Sequence, residues 1–155
     1  MNKIIITGGS GFIGCNLVRE ALKRGFNVIN IDALTYASHG NNNKSFESNP
    51  AYKFYKEDIR NFKKIEEIIN FEMPNFIMNL AAETHVDNSI SSPISFIETN
   101  ILGTYNLLEA ARKYYQKFNP SNFKFVHIST DEVFGSLDSA GQFSEKSPYQ
   151  PRSPY

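Results

Sequence analysis

Gly8, Gly11 and Gly14 recur at three-residue intervals in Thr7-Gly8-Gly9-Ser10-Gly11-Phe12-Ile13-Gly14. The chemistry this spacing suits is anion binding. A first glycine permits a tight turn, a second lets a pyrophosphate approach the backbone, and a third lets a helix pack close to a strand. A helix opening at this point offers unpaired N–H donors and the positive end of its dipole. Glycine turns are common, so the pattern alone is weak. Here a strand, the turn, a helix and a second strand follow in order, which favours dinucleotide binding over a plain turn. Asp32 closes the second strand eighteen residues after Gly14, where an acid accepts the 2′-hydroxyl of an adenosine ribose. Ala33, Leu34 and Thr35 follow it and bring no positive charge for a 2′-phosphate, so NAD is expected over NADP. Asp58-Ile59 closes the third strand and could meet the adenine edge; an ordinary turn is the alternative.

The elements that must position these residues are short apolar runs alternating with helical patterns. Strands are expected at Lys3–Thr7, Asn27–Asp32, Tyr52–Asp58, Phe76–Ala81 and Lys124–Thr130. Gly11–Arg24 has apolar residues at helical spacing, with Gly25 as its stop signal. Asn61–Phe71 repeats that spacing. Pro93 begins a long helix with Ile97, Ile101, Tyr105, Leu108 and Ala111 on one stripe. This alternation implies an α/β fold, a Rossmann-type, doubly wound parallel sheet that stops short of its last strands. The Asn-rich stretch 40–49 reads as a polar loop without distinct chemistry. From 131 to 155 no periodicity is visible. A structureless tail of more than about 20 residues is unusual in a compact domain, so it reads as a long active-site loop.

The 155 residues suffice for one domain, and 16 basic against 16 acidic residues leave no formal net charge. A nucleic-acid partner is not expected without a basic excess. No apolar run could span a bilayer, and Ile4-Ile5-Ile6 is too short for a signal-peptide core, so no membrane association and a cytoplasmic location are expected. The single Cys15 has no intrachain disulfide partner and reads as a small buried apolar residue. His85 and His127 read as packing or local hydrogen-bonding residues, and His39 lies in the polar loop. No two of the three have metal-ligand spacing, so no metal is expected.

The glycine pattern resembles that of the extended short-chain dehydrogenase/reductase family. Three blocks narrow the resemblance to its dTDP-glucose 4,6-dehydratases: Asp32-Ala33-Leu34-Thr35-Tyr36-Ala37, Leu80-Ala81-Ala82-Glu83-Thr84-His85-Val86-Asp87, and Ser129-Thr130-Asp131-Glu132-Val133-Phe134-Gly135. Ser153-Pro154-Tyr155 is similar to the start of the family's S-P-Y-x-x-x-K block, whose lysine falls beyond residue 155. Thr84 stands where the family often has Ser, and Asn88 where it commonly has Arg. The adjacent Asp131-Glu132 pair separates this group from related epimerases and decarboxylases.

The resemblance implies a lyase that converts a nucleotide-linked glucose, dTDP-glucose by default, to its 4-keto-6-deoxy form with bound NAD. It implies that Tyr155 is the base for the C4 hydroxyl, Glu132 the base for the C5 proton and Asp131 the acid for the departing C6 hydroxyl. Thr130 would bond near O4, and Thr84 would help orient the sugar. Gly8, Gly11, Phe12, Ile13 and Gly14 would hold the cofactor's phosphates. Asp32, Ala33, Leu34, Thr35, Asp58 and Ile59 would hold its adenosine half. Leu80, Ala81, Ala82, Thr99 and Tyr155 would line the remainder. Residues 1–155 would be the NAD-binding portion of a longer, homodimeric enzyme and inactive alone, the portion gripping the sugar nucleotide lying outside it. Two other functions fit less well: a nucleotide-sugar epimerase or decarboxylase, and a non-catalytic NAD-binding module.

Overall fold

A computed structural model describes residues 2–38, 41–137 and 141–155; His39 falls outside them. Five strands, β1 (Lys3–Thr7), β2 (Asn27–Asp32), β3 (Tyr52–Lys56), β4 (Phe76–Asn79) and β5 (Lys124–His127), form one parallel sheet in the order β3-β2-β1-β4-β5. The Ile-Ile-Ile run of β1 explains its central place. Successive side chains of a strand point to opposite faces, and a strand covered on both sides needs apolar residues at every position. Ile4 and Ile6 enter one core with Val28, Phe46 and Val18 and Ala21 of helix α1 (Phe12–Lys23). Ile5 enters the other with Ile29, Ile31, Ile77 and the apolar faces of α3 (Phe62–Glu72) and α6 (Thr104–Phe118). A four-residue helix α2 (Asn41–Lys44) lies between β2 and β3. The doubly wound α/β class is as expected.

Gly25 stops α1 with a φ of +78°, a conformation that costs glycine little. Strands β3, β4 and β5 end two or three residues earlier than expected. At β5, the Ile128 N–H still donates to the Asn79 carbonyl at 3.0 Å before the chain leaves the ladder. A six-residue helix α4 (Val86–Ser91) was not anticipated, being too short to show a period.

The largest departure is in the long helix. It runs from α5 (Pro93–Phe96) through a seven-residue π-helical segment, Ile97–Gly103, into α6. The expected stripe is mostly not core-facing: Ile97, Ile101, Tyr105 and Leu108 are 43–62% exposed. Leu107, Ala110, Ala111 and Tyr114 face the core instead. A π turn widens the helix and shifts its phase, so a 3.6-residue count carried across it marks the wrong face. Gly103 is where the segment closes on the sheet: a Cβ there would lie 2.7 Å from the Ile59 side chain. Among the described residues no helix is long and apolar enough to cross a membrane.

Candidate functional site

β1 and β4 are neighbours whose following long helices pack on opposite faces, α1 on one and α6 on the other. Beyond their carboxyl ends lies the crevice where open α/β sheets take ligands. The glycine turn forms its floor. Gly8 has φ +71°, and a Cβ on it would fall 2.8 Å from the Leu80 and Ala81 backbone, forcing the two strand ends apart. A Cβ on Gly14 would lie 2.0 Å from the Gly8 carbonyl oxygen, so α1 can approach the turn only with glycine there. Gly11 differs. It has ordinary φ −76°, and a Cβ would meet only the Gly8 oxygen, at 3.4 Å. The protein does not need glycine at 11 for its own packing; the space before it is open. The first α1 hydrogen bond runs from Cys15 N–H to Gly11 O at 3.0 Å, and no side chain caps the helix. The N–H groups of Phe12, Ile13 and Gly14 therefore remain as donors at the helix end.

Asp32 is buried at the end of β2. One carboxylate oxygen accepts the Ser10 N–H at 2.9 Å and the other the Leu34 N–H at 2.8 Å. Leu34 adopts φ +55°, which turns its N–H back onto Asp32. The acid is thus oriented by the glycine turn itself, while Ala33 is half-buried and Thr35 exposed. Behind the turn lies a polar cluster that sequence reasoning missed. Asn42 donates to the Ser10 carbonyl at 2.9 Å, and the Ser10 hydroxyl donates to Asn43 Oδ1 at 2.9 Å. Asn30 Nδ2 reaches Ser10 Oγ and Asn43 Oδ1, both at 3.2 Å, and Tyr52 OH at 2.9 Å. One signal was visible: Asn30 interrupts the apolar run of β2.

On the β4 side, Thr7 Oγ1 donates to Asn79 Oδ1 at 2.5 Å, and Asn79 Nδ2 lies 3.1 Å from His127 Nδ1. His127 therefore serves local hydrogen bonding, as expected, and His85 packs its ring 5.7 Å from that of Tyr36. Leu80 and Ala81 line the crevice floor against Gly8, whereas Ala82 and Thr84 are exposed. Between them, Glu83 accepts from Tyr36 OH at 2.7 Å, linking the loops after β2 and β4. Burial and this hydrogen bond push the Tyr36 phenol above its ordinary range.

Asp58 stands after β3 with its carboxylate on Arg60, 2.7 Å from Nη2 and 3.0 Å from Nε. Burial opposes its ionisation, but the guanidinium and the Arg60 N–H outweigh this and hold the carboxyl below its usual range. The Ile59 side chain is only 3% exposed and packs on Gly103, so it can offer the crevice only its backbone. Thr99 is half-buried in the π-helical segment, next to Asn100.

Past β5, Thr130 caps a 3₁₀ turn, Asp131–Phe134, by accepting the Glu132 N–H at 3.2 Å. Its hydroxyl lies 3.4 Å from Asp131 Oδ1. Thr130, Asp131 and Glu132 are thus brought together on one capped turn. The Gln150 N–H latches the turn by donating to Val133 O at 2.9 Å. Tyr155 packs edge-on against buried Phe96 of α5, with ring centres 6.1 Å apart. Among the described residues no group of three His, Cys, Asp or Glu is placed to hold a metal.

The fold and this crevice define a Rossmann-type α/β protein. The model of the family described as GDP-mannose 4,6 dehydratase matches residues 5–155, and the chain belongs to that family. A dTDP-glucose 4,6-dehydratase of Haemophilus influenzae is 48% identical over 160 residues, covering 100% of this chain and 47% of that protein. The crystal structure of dTDP-glucose 4,6-dehydratase from Bacillus anthracis in complex with NAD matches with a TM-score of 0.85 at 41% identity, covering 100% of this chain and 46% of that one. DesIV, the dTDP-glucose 4,6-dehydratase from Streptomyces venezuelae with NAD and TYD bound, matches with a TM-score of 0.87 at 37% identity, covering 99% and 47%. The chain spans less than half the length of the curated relatives it matches.

Proposed function

We propose that this chain carries the NAD site and the acid–base residues of a dTDP-glucose 4,6-dehydratase. The carrying observation is the capped turn beyond β5, which sets Thr130, Asp131 and Glu132 side by side at the ligand-binding end of the sheet. An adjacent acid pair is what an elimination needs and what an epimerisation does not.

The crevice residues fit NAD. Gly11 leaves open space, the first α1 N–H groups suit a pyrophosphate, and Asp32 is oriented for a ribose hydroxyl. Held there, NAD would supply a reversible hydride acceptor for the sugar. Tyr155 takes the proton of the C4 hydroxyl; an unperturbed tyrosine has a pKa of about 10, and the lysine of the family's motif would help it ionise. Glu132 takes the C5 proton, acidified by the C4 ketone, and Asp131 protonates the leaving C6 hydroxyl. Two neighbouring carboxyls can divide these roles when their surroundings differ. Thr130 donates toward O4, and Thr84, on the exposed loop after β4, orients the sugar.

On this reading residues 1–155 form the NAD-binding domain, the added length of the relatives grips the nucleotide, and the chain alone is inactive. The exposed apolar face of the long helix, Ile97, Ile101, Leu102, Tyr105 and Leu108, supports a homodimer. A cytoplasmic location goes with it. The test is to supply the complete natural protein with NAD and dTDP-glucose. Formation of the 4-keto-6-deoxy sugar nucleotide is expected; a C4 epimer as the only product would refute the assignment.

A further inference from the structure

We infer that Asn30, Asn43 and Tyr52 are positioning residues for the dinucleotide site: a buried polar clamp that holds Ser10 and, through it, ties the phosphate turn to Asp32. The inference rests on the NAD reading above and adds residues which that reading does not use.

Ser10 is the joint. It is wholly buried, and each of its polar groups is engaged. Its N–H goes to Asp32, its carbonyl accepts from Asn42, and its hydroxyl bonds Asn43 and Asn30. Tyr52 OH closes the ring, accepting from Asn30 and lying 3.1 Å from Asn43 Oδ1. Moving Ser10 would displace both the turn that faces the phosphates and the carboxylate that faces the ribose.

The Tyr52 ring packs on Phe46, but packing does not account for its hydroxyl or for the two asparagine amides. They adjoin the apolar core of Ile4, Ile6 and Val28, where buried amides are costly unless fully hydrogen-bonded. Asn30 Oδ1 is not: it is the one buried side-chain oxygen or nitrogen without a partner among the described residues. That oxygen lies against Gly9. A Cβ on Gly9 would fall 2.3 Å from it, so Asn30 dictates the second glycine of the Gly8-Gly9 pair. The cluster therefore shapes two consecutive residues of the turn, one by steric exclusion and one by hydrogen bonds. A site held in its binding geometry before the ligand arrives loses less affinity to ordering.

The test uses the complete natural protein, stripped of nucleotide. NAD affinity, thermal midpoint without ligand, and the kcat and KM for dTDP-glucose at saturating NAD are measured for Tyr52→Phe and Asn43→Leu. The expected result is NAD binding weakened about tenfold, as for loss of a buried hydrogen bond, with kcat and sugar-nucleotide KM unchanged. Tyr52→Phe, which keeps the ring, decides the matter if Asn43→Leu does not fold. A second measurement is a cycle. Gly9→Ala should abolish NAD binding, and Asn30→Ala added to it should restore part of it. If both clamp variants bind NAD as tightly as the unmutated protein, whatever their thermal midpoints, or if the Gly9 and Asn30 effects simply add, the inference falls and the NAD reading stands. If the unmutated protein binds no NAD, both fall.

Discussion

Asn100 mimics a peptide group against Glu83: its Oδ1 accepts the Glu83 N–H and its Nδ2 donates to the Glu83 carbonyl, both at 2.9 Å. The π-helical segment thereby holds the loop after β4, the loop that also carries Thr84. Asn100→Ala should leave both Glu83 peptide groups unpaired and lower stability by about 1–3 kcal/mol. It should also raise the KM for the sugar nucleotide, because the loop loses its anchor. Thermal unfolding and steady-state kinetics on the complete protein check the two effects separately.

The glycines of the turn should fail in different ways. Ala at 14 meets the Gly8 carbonyl and should lower the thermal midpoint sharply, whereas Ala at 11 fits the backbone and meets open space. Gly11→Ala should therefore leave the ligand-free midpoint nearly unchanged and weaken NAD binding at least tenfold, since its methyl occupies the approach to the helix end. Equal NAD affinity in Gly11→Ala and the parent would remove the phosphates from this turn.

Cofactor choice should follow Asp32. Its carboxylate is held by the Ser10 and Leu34 N–H groups, so it cannot swing away from an incoming 2′-phosphate. Like charges brought together cost several kcal/mol. NAD should bind better than NADP, and Asp32→Ala should narrow the gap. Calorimetric titration with both dinucleotides measures it; equal affinities in the unmutated protein would end the assignment.

Oxidation and elimination should separate at Glu132. Glu132→Gln in the complete protein should slow loss of the C5 proton more than oxidation at C4. Rapid quench with substrate deuterated at C5 reads this directly. Deuterium lost at the normal rate in the variant would take the base role away from Glu132.

Far from the crevice, Glu72 predicts an acid sensitivity. It is buried at the end of α3, 2.6 Å from Lys53 Nζ and 2.5 Å from Tyr55 OH, with Lys3 Nζ at 3.7 Å. Burial opposes its ionisation, but Lys53, Tyr55 and Lys3 together hold its carboxyl below the ordinary 4.5. A depressed carboxyl stabilises the fold fully above the unfolded value and loses that contribution as pH falls through the folded one. Glu72→Gln should cost about 1–3 kcal/mol near pH 7, as for a buried hydrogen bond. The difference from the parent should shrink below pH 4.5, which denaturant melts at several pH values would show.

Local chemistry by itself determined a good deal of this protein. The Ile4-Ile5-Ile6 run demanded a strand covered on both faces, and glycine at 8 and 14 demanded a turn with positive φ and close helix approach. The position of Asp32 followed from the length of one strand–helix–strand unit. Each of these depends on residues near one another in sequence, through side-chain period, backbone freedom and chain reach. Only tertiary structure decided the rest. Asn42 and Asn43, read in sequence as part of a polar loop, hold Ser10 because they meet a turn more than thirty residues earlier. Arg60, which Asp58 holds locally, met Glu98 of the π-helical segment 38 residues further on. The outward face of the long helix was misjudged because a π turn at Ile97–Gly103 shifts the phase, and Gly103 packs there against Ile59, a residue of another element. Such pairings are selected by the complementary surfaces that the assembled sheet brings together, and no local pattern of residues carries them.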